Sequence, residues 1–397
     1  MTDDTESNRY YDNHDLVLKR IRDGTLDNND FWFIDRWGHA EFKLILQELQ
    51  KYPRNVTSVY LSWGWRDGEH RKRSSQDFVE LFAVLEDLPN LDTIFLDWFI
   101  EQDDDVVKIV SNFLNNNSNI TRIRIAAEDV PQDLIKILSL MPSLEELKLY
   151  LIEQTSSLLP LLDSRTLSKL LVNNIDQNRI SHLATSKELL QEGLQRPTII
   201  APIQSFSLFA PTYFFEDVAS DIVDLIQRNS TIKTLRFLPT FGRIIEPPSE
   251  KFLTDLAVAV SKNASLQHLQ LPFNGTYACD ACKPSTKKAF LDGFENNYTL
   301  LYFSMMGWDP SVTPVASKVN YFLRLNAYGR RKLFCSTASQ NDWVKSLALE
   351  GGENRRIHWN NKAKDTLDWI YYVLCNNPTL LCSGSSQTSS TSFKTIG

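Results

Sequence analysis

The chain has 397 residues, 42% hydrophobic, 11% aromatic and 23% charged, with 14 Gly and 16 Pro. This is the composition of a folded globular protein, and it excludes wholesale disorder, collagen-like repeats and low-complexity sequence. No run of about 18 uncharged apolar residues is present to cross a bilayer. The formal charge of -7, from 42 Lys+Arg against 49 Asp+Glu, argues against bulk affinity for polyanions.

Residues 1–14 are polar and predicted to be disordered. They lack the basic and apolar regions of a secretory leader, and five cysteines in a chain of this length make no disulfide framework. The expected compartment is therefore the cytoplasm, with the nucleus as the alternative. Residues 15–54 are predicted to form an N-terminal cap, with helices over Asp15–Ile21 and Ala40–Leu49 and with Phe31-Trp-Phe-Ile34 as a buried strand or turn.

From residue 55 to 310 one template recurs: an apolar residue, two variable positions, an apolar residue, one variable position, and a third apolar residue. Its nine instances are Val56/Val59/Leu61, Leu91/Ile94/Leu96, Ile120/Ile123/Ile125, Leu144/Leu147/Leu149, Leu167/Leu170/Val172, Ile203/Phe206/Leu208, Ile232/Leu235/Phe237, Leu266/Leu269/Leu271 and Leu300/Phe303/Met305. Successive instances start 23 to 36 residues apart, room for one short strand, one helix and two turns. Between them, Phe78–Leu85, Val106–Leu114, Leu134–Leu138, Val218–Ile226 and Phe252–Val260 repeat apolar residues at helical spacing. One such unit cannot bury its own apolar face, but stacked units pair their strands in parallel and merge their cores. Strands lie ~4.8 Å apart and helices about twice as far, so the predicted fold is an α/β horseshoe with strands on the concave face and helices on the convex face.

These nine templates resemble the leucine-rich-repeat proteins, and the long helical units resemble their ribonuclease-inhibitor-like branch. The resemblance implies a protein-binding module, such as an inhibitor, an adaptor or a regulator. The chain departs from the family in one respect. Where the family places Asn or Cys three residues after the last apolar slot, only Asn274 fits, so irregular turns are expected.

Beyond the template, residues 311–382 are predicted as a helical C-terminal cap, with helices at Val319–Asn326, Asp342–Leu347 and Thr366–Leu374. The Ser/Thr-rich residues 383–397 are predicted to be disordered. The chain has no phosphate loop, nucleophile elbow, zinc-protease motif or dinucleotide fingerprint, and no enzymatic activity or cofactor is expected. Cys279-Asp-Ala-Cys282 is half of a zinc site or a dithiol pair, and it carries the alternative of a redox or metal-dependent factor. The remaining cysteines, Cys335, Cys375 and Cys382, read as buried helix residues. The basic run Arg66-Asp-Gly-Glu-His-Arg-Lys-Arg-Ser-Ser75 reads chiefly as a solvated loop, with a phosphorylatable Ser74 or Ser75, a nuclear address or a contact with an anionic partner as the functional options. Together with Arg122 and Arg124 it supports a second alternative, nucleic-acid binding. Most Asn-x-Ser/Thr sequons, among them Asn229, Asn263 and Asn297, fall where a helix ends and a strand begins, so architecture accounts for them.

Side chains alternate across a strand, so the variable positions inside each template face away from the leucine core and form the candidate partner-binding wall. The residues singled out there are Tyr60, Trp63, Phe95, Trp98, Arg122, Arg124, Glu146, Lys148, Tyr150, Arg236, His268 and Tyr302. Aromatic residues and Arg predominate at interface hot spots because they combine large contact area with directional hydrogen bonds. Phe209, Phe273 and Trp308 are expected along the rim. On this reading, Trp98→Ala combined with Tyr60→Ala weakens partner binding with little effect on thermal stability.

Overall fold

A computed structural model of the chain describes residues 14–25, 31–33, 39–62, 74–97, 104–174, 183–194, 201–240, 248–275, 281–311 and 313–327. Trp63, Trp98, Arg66 to Arg73, Cys279, the three later cysteines, the two last predicted helices, residues 1–13 and residues 383–397 lie outside the described residues, whereas His14, expected in the disordered N-terminus, is helical.

Every template instance forms a strand. In chain order these are β2 (Ser58–Ser62), β3 (Thr93–Asp97), β4 (Arg122–Ala127), β5 (Glu146–Leu151), β6 (Lys169–Asn174), β7 (Ser205–Ala210), β8 (Thr234–Pro239), β9 (His268–Asn274) and β10 (Tyr302–Met306). A tenth strand, β1 (Phe31–Phe33), pairs in parallel with β2, so the segment read as a buried strand or turn is the first strand of the same sheet. Among the described residues the ten strands form one parallel sheet whose spatial order equals the chain order. This is the arrangement of a leucine-rich-repeat-like stack, in which each unit pairs only with its neighbours.

The register explains the template. Its middle apolar position runs across the sheet as one row, Val59, Ile94, Ile123, Leu147, Leu170, Phe206, Leu235, Leu269 and Phe303, each paired with the next. None of the residues in the three apolar slots is more than 3% exposed. Each such side chain contributes roughly 1.5–3 kcal/mol on burial, so the row cannot be shifted by one residue without losing every unit's contribution.

Helices cover this apolar face. α1 (His14–Asp23) and α2 (His39–Lys51) precede β2, and α3 (Ser75–Glu86), α4 (Asp104–Asn116) and α5 (Gln132–Leu140) connect the next strands. α3 begins with a capping box. Ser74 Oγ accepts the Asp77 N–H at 3.3 Å, and the Asp77 carboxylate accepts the Ser74 N–H, also at 3.3 Å. Ser74 therefore has a structural task besides the modification considered above.

The one-strand, one-helix rule fails in the middle of the chain. The short β5–β6 unit holds only a 3-10 turn at Leu159–Asp163. The next unit holds α6 (Ala184–Glu188) running into a π-helical turn at Leu189–Gly193, and the one after it holds two helices, α7 (Thr212–Asp217) and α8 (Ala219–Arg228). Length alone does not account for this, since the template starts of the β5–β6 unit are 23 residues apart and those of the β4–β5 unit, which holds α5, are 24 apart; the β5–β6 connection is tied down at Gln154, 2% exposed. Its buried amide accepts the Val130 N–H at 3.0 Å and donates to the carbonyls of Val130 and Ser156.

Regularity returns with α9 (Glu250–Lys262), α10 (Pro284–Glu295) and α11 (Pro314–Ala327). α9 and α10 come into backbone contact at Gly293, where a Cβ atom would stand 2.5 Å from the Ala257 carbonyl oxygen. A ladder of asparagine side chains stands at the turns after the helices. Asn263 Nδ2 donates to the Asn229 carbonyl at 2.9 Å, Asn297 Nδ2 to the Asn263 carbonyl at 2.9 Å, and Asn326 Nδ2 to the Asn297 carbonyl at 3.0 Å. The Oδ1 atoms of Asn229, Asn263 and Asn297 each accept two backbone N–H groups of the turn that opens the next strand. The sequon asparagines of this part of the chain are thus joints of the fold.

Candidate functional site

The face of the sheet opposite the helices carries the outward positions of the template. At its start, Tyr60 on β2 and Phe95 on β3 are direct register partners, and their rings stack with centroids 5.1 Å apart and planes 27° from parallel. Arg124 on β4 is the next partner in the row, and its guanidinium lies 5.8 Å from both ring centroids and 4.2 Å from that of Tyr150 on β5. Ala126 sits in register between Asp97 and Tyr150, and its small side chain leaves room for this closure. The result is a cation held among three aromatic rings.

This packing changes the reading of Tyr60. Expected on an open wall, it is only 4% exposed, because β1 flanks it on one side and the Phe95–Arg124 stack covers the other. Its hydroxyl donates to Asp97 Oδ2 at 3.4 Å, and burial, together with the Asp97 charge, pushes the phenol well above its ordinary range. The expectation that Tyr60→Ala leaves stability largely intact is therefore withdrawn. Asp97 was not singled out from the sequence, although extending the alternation Thr93, Phe95 by one step reaches it.

Around this cluster, three further cations are paired with carboxylates, whereas the buried Arg124 Nε has no hydrogen-bond partner among the described residues. Arg122 donates to both carboxylate oxygens of Asp92, at 2.9 and 3.0 Å. Glu146 pairs with Lys148 at 2.7 Å and with Lys169 at 3.4 Å. Burial acts to raise the Glu146 pKa, but the hydrogen bonds and charges of the two lysines outweigh it and hold the carboxyl below its ordinary value.

Further along, the face changes character. Arg236 on β8 is exposed, and its register partners are the neutral Ser207 and Gln270. His268 on β9 pairs in register with Thr234 on one side and Tyr302 on the other, with the His268 and Tyr302 rings 6.1 Å apart. Burial, and then the Arg236 charge, lower the imidazole pKa. Tyr302 is 46% exposed. The twelve residues singled out from the sequence thus do not form one cluster. Tyr60, Phe95, Arg124 and Tyr150 are brought together, Arg236, His268 and Tyr302 make a second group, and Trp63 and Trp98 lie outside the described residues.

The rim differs from expectation at Phe273, which turns inward and is 3% exposed against Phe252, with centroids 4.5 Å apart. Trp308 packs edge-on against Phe303 at 5.1 Å, while Phe209 is half-buried. Cys282 lines a small apolar space with Leu253, Phe290 and Met305. Burial, with the Glu250 charge second, raises its thiol pKa, the opposite of an activated thiolate. No grouping of three or more metal-ligating side chains occurs among the described residues. No described helix is long and apolar enough to cross a membrane.

No family profile matches the chain, and no curated protein matches it. Among solved structures, it is similar to a chain of the Toll–Spatzle complex of Drosophila, described as a molecular hub in development and innate immunity. Identity is 12% and the TM-score 0.27, with 66% of this chain and 42% of that chain covered.

Proposed function

We propose that this chain is a protein-interaction module, a ribonuclease-inhibitor-like leucine-rich-repeat horseshoe that acts in the cytoplasm or nucleus and takes its partner on the open face of the sheet. The supporting observation is the division of labour within each strand. Inward positions are uniformly apolar and buried, whereas outward positions change from strand to strand among aromatic, cationic, anionic and hydroxyl side chains. Such a surface can vary without disturbing the core, and this is how repeat folds acquire specificity. Eight steps of ~4.8 Å from β2 to β10 give nearly 40 Å of face, the scale of a protein partner and larger than a metabolite pocket. No catalytic step and no cofactor are assigned.

The test is recovery of binding proteins from a native extract with the wild-type chain and with Lys148→Glu and Tyr302→Ala, each checked by thermal unfolding. Loss of a recovered partner at an unchanged unfolding midpoint supports the reading. Recovery unaffected by either variant counts against the open face as the site.

A further inference from the structure

The cations of the open face fall into three sets, the first being Arg124, enclosed by the rings of Tyr60, Phe95 and Tyr150. Arg122, Lys148 and Lys169 each have a carboxylate within 3.4 Å, supplied by Asp92 or Glu146. Arg236 has no carboxylate partner among the described residues. Its register neighbours Ser207 and Gln270 are neutral, as are the outward residues Ser205, Thr234 and Ser304 of the adjoining strands. At the entry of the same strand, Lys233 donates to the neutral side chain of Gln204 at 3.0 Å. The corresponding position five units earlier, ahead of β3, is Asp92, which neutralises Arg122. Among the described residues, the last third of the face therefore holds two cations over a floor of hydroxyl and amide groups without an anion, in a chain whose formal net charge is -7.

Resting on the interaction-module reading above, we propose that Arg236, supported by Lys233 and flanked by His268 and Tyr302, is the subsite that receives an acidic side chain, Asp or Glu, of a protein partner. The fork of guanidinium donors suits bidentate capture of a carboxylate. Ser207 and Gln270 border the site with further hydrogen-bonding groups, and the Tyr302 ring offers exposed apolar area beside it. Burial chiefly lowers the His268 pKa, and the Arg236 charge adds to it as the second cause. Complementary charge in this position acts chiefly on specificity.

The experiment selects a displayed random-peptide library on the full chain, on Arg236→Glu and on Arg122→Gln. Wild-type and Arg122→Gln proteins are expected to enrich Asp and Glu at a fixed position at least about threefold over Asn and Gln, whereas Arg236→Glu reverses the preference to Lys and Arg. Selected peptides are expected to lose roughly tenfold in affinity towards Arg236→Gln, equivalent to the loss of one charge-assisted contact. Peptides whose binding fails on Tyr302→Ala but which carry no acidic preference overturn this subsite and leave the interaction module standing. Peptides insensitive to every substitution on the face overturn both. A single-stranded oligonucleotide bound through Arg236 more tightly than any selected peptide reassigns the site to nucleic acid and also overturns the proposal.

Discussion

The first and last parts of the open face are built on the same backbone, yet they are stabilised in different places. From β2 to β6 the outward side chains serve one another. Tyr60, Phe95 and Tyr150 enclose Arg124, and Asp92 and Glu146 neutralise their neighbours. From β8 to β10 the outward side chains carry no carboxylate pairing among the described residues, and the asparagines of the helix-to-strand turns, Asn229, Asn263, Asn297 and Asn326, are linked in a continuous chain, where the earlier turns hold separate bonds such as those of Asn55 to Ile21 and of Asn90 to Arg54. The same backbone thus carries a face whose side chains pair with one another and a face whose side chains do not.

The largest expected effect breaks the first part. Tyr60→Ala removes a buried aromatic ring and unstacks Phe95 and Arg124, and it should cost ~3–5 kcal/mol in denaturant unfolding, as large-to-small core substitutions do. Tyr302→Ala, at 46% exposure, should stay within about 0.5 kcal/mol of wild type. Equal effects at the two positions would erase the distinction between packed and open parts.

The second prediction addresses the turns. Asn297 is 2% exposed, donates to the carbonyls of Val260 and Asn263, and accepts the N–H groups of Thr299 and Leu300. Asn297→Ala orphans these buried groups and should cost roughly 2–4 kcal/mol, given ~1–3 kcal/mol for each group left unsatisfied and partial relief by water. Hydrogen exchange should show faster opening of β9 and β10 than of β3 and β4. Uniform acceleration along the whole chain would mean that the ladder is not what holds the last units.

The smallest effect sharpens the comparison through pH. His268 has its pKa lowered in the folded state, so the unfolded chain binds the proton more readily. The resulting loss of stability is absent above the ordinary imidazole value of about 6.5 and grows as pH falls through it. His268→Gln should reduce the drop in stability between pH 7.5 and 5.5, and Arg236→Gln should reduce it less, since burial is the larger cause and the Arg236 charge the smaller. In the first part of the face, Tyr60 titrates far above this window and contributes nothing to the drop. An unchanged slope in both variants would remove the field assigned to Arg236.

Much of the fold was legible because it rests on a periodic signal. Three apolar slots, filled nine times, give the strands, their parallel order and the buried row from Val59 to Phe303. The helices Phe78–Leu85 and Val106–Leu114 followed from three- and four-residue spacing and lie within α3 and α4. The π-helical turn at Leu189–Gly193 and the 3-10 turn at Leu159–Asp163 were not legible, since short apolar runs fit several backbone geometries and tertiary packing selects among them. The candidate site was legible only as a set of outward positions. Alternation tells which side of the sheet a residue is on, but it does not tell whether a neighbour covers it.

Taken alone, then, the sequence determined the unit, the direction of the strands and the side of the sheet on which each residue lies, because side-chain alternation and apolar spacing are local properties of the backbone. Only the tertiary structure decided that Tyr60 is enclosed while Tyr302 is open, that Arg122 is paired while Arg236 has no carboxylate partner among the described residues, and that asparagines at the helix ends join successive units. Burial and charge pairing depend on the residues that register brings alongside from units some 30 positions away, and no local pattern in the chain records those neighbours.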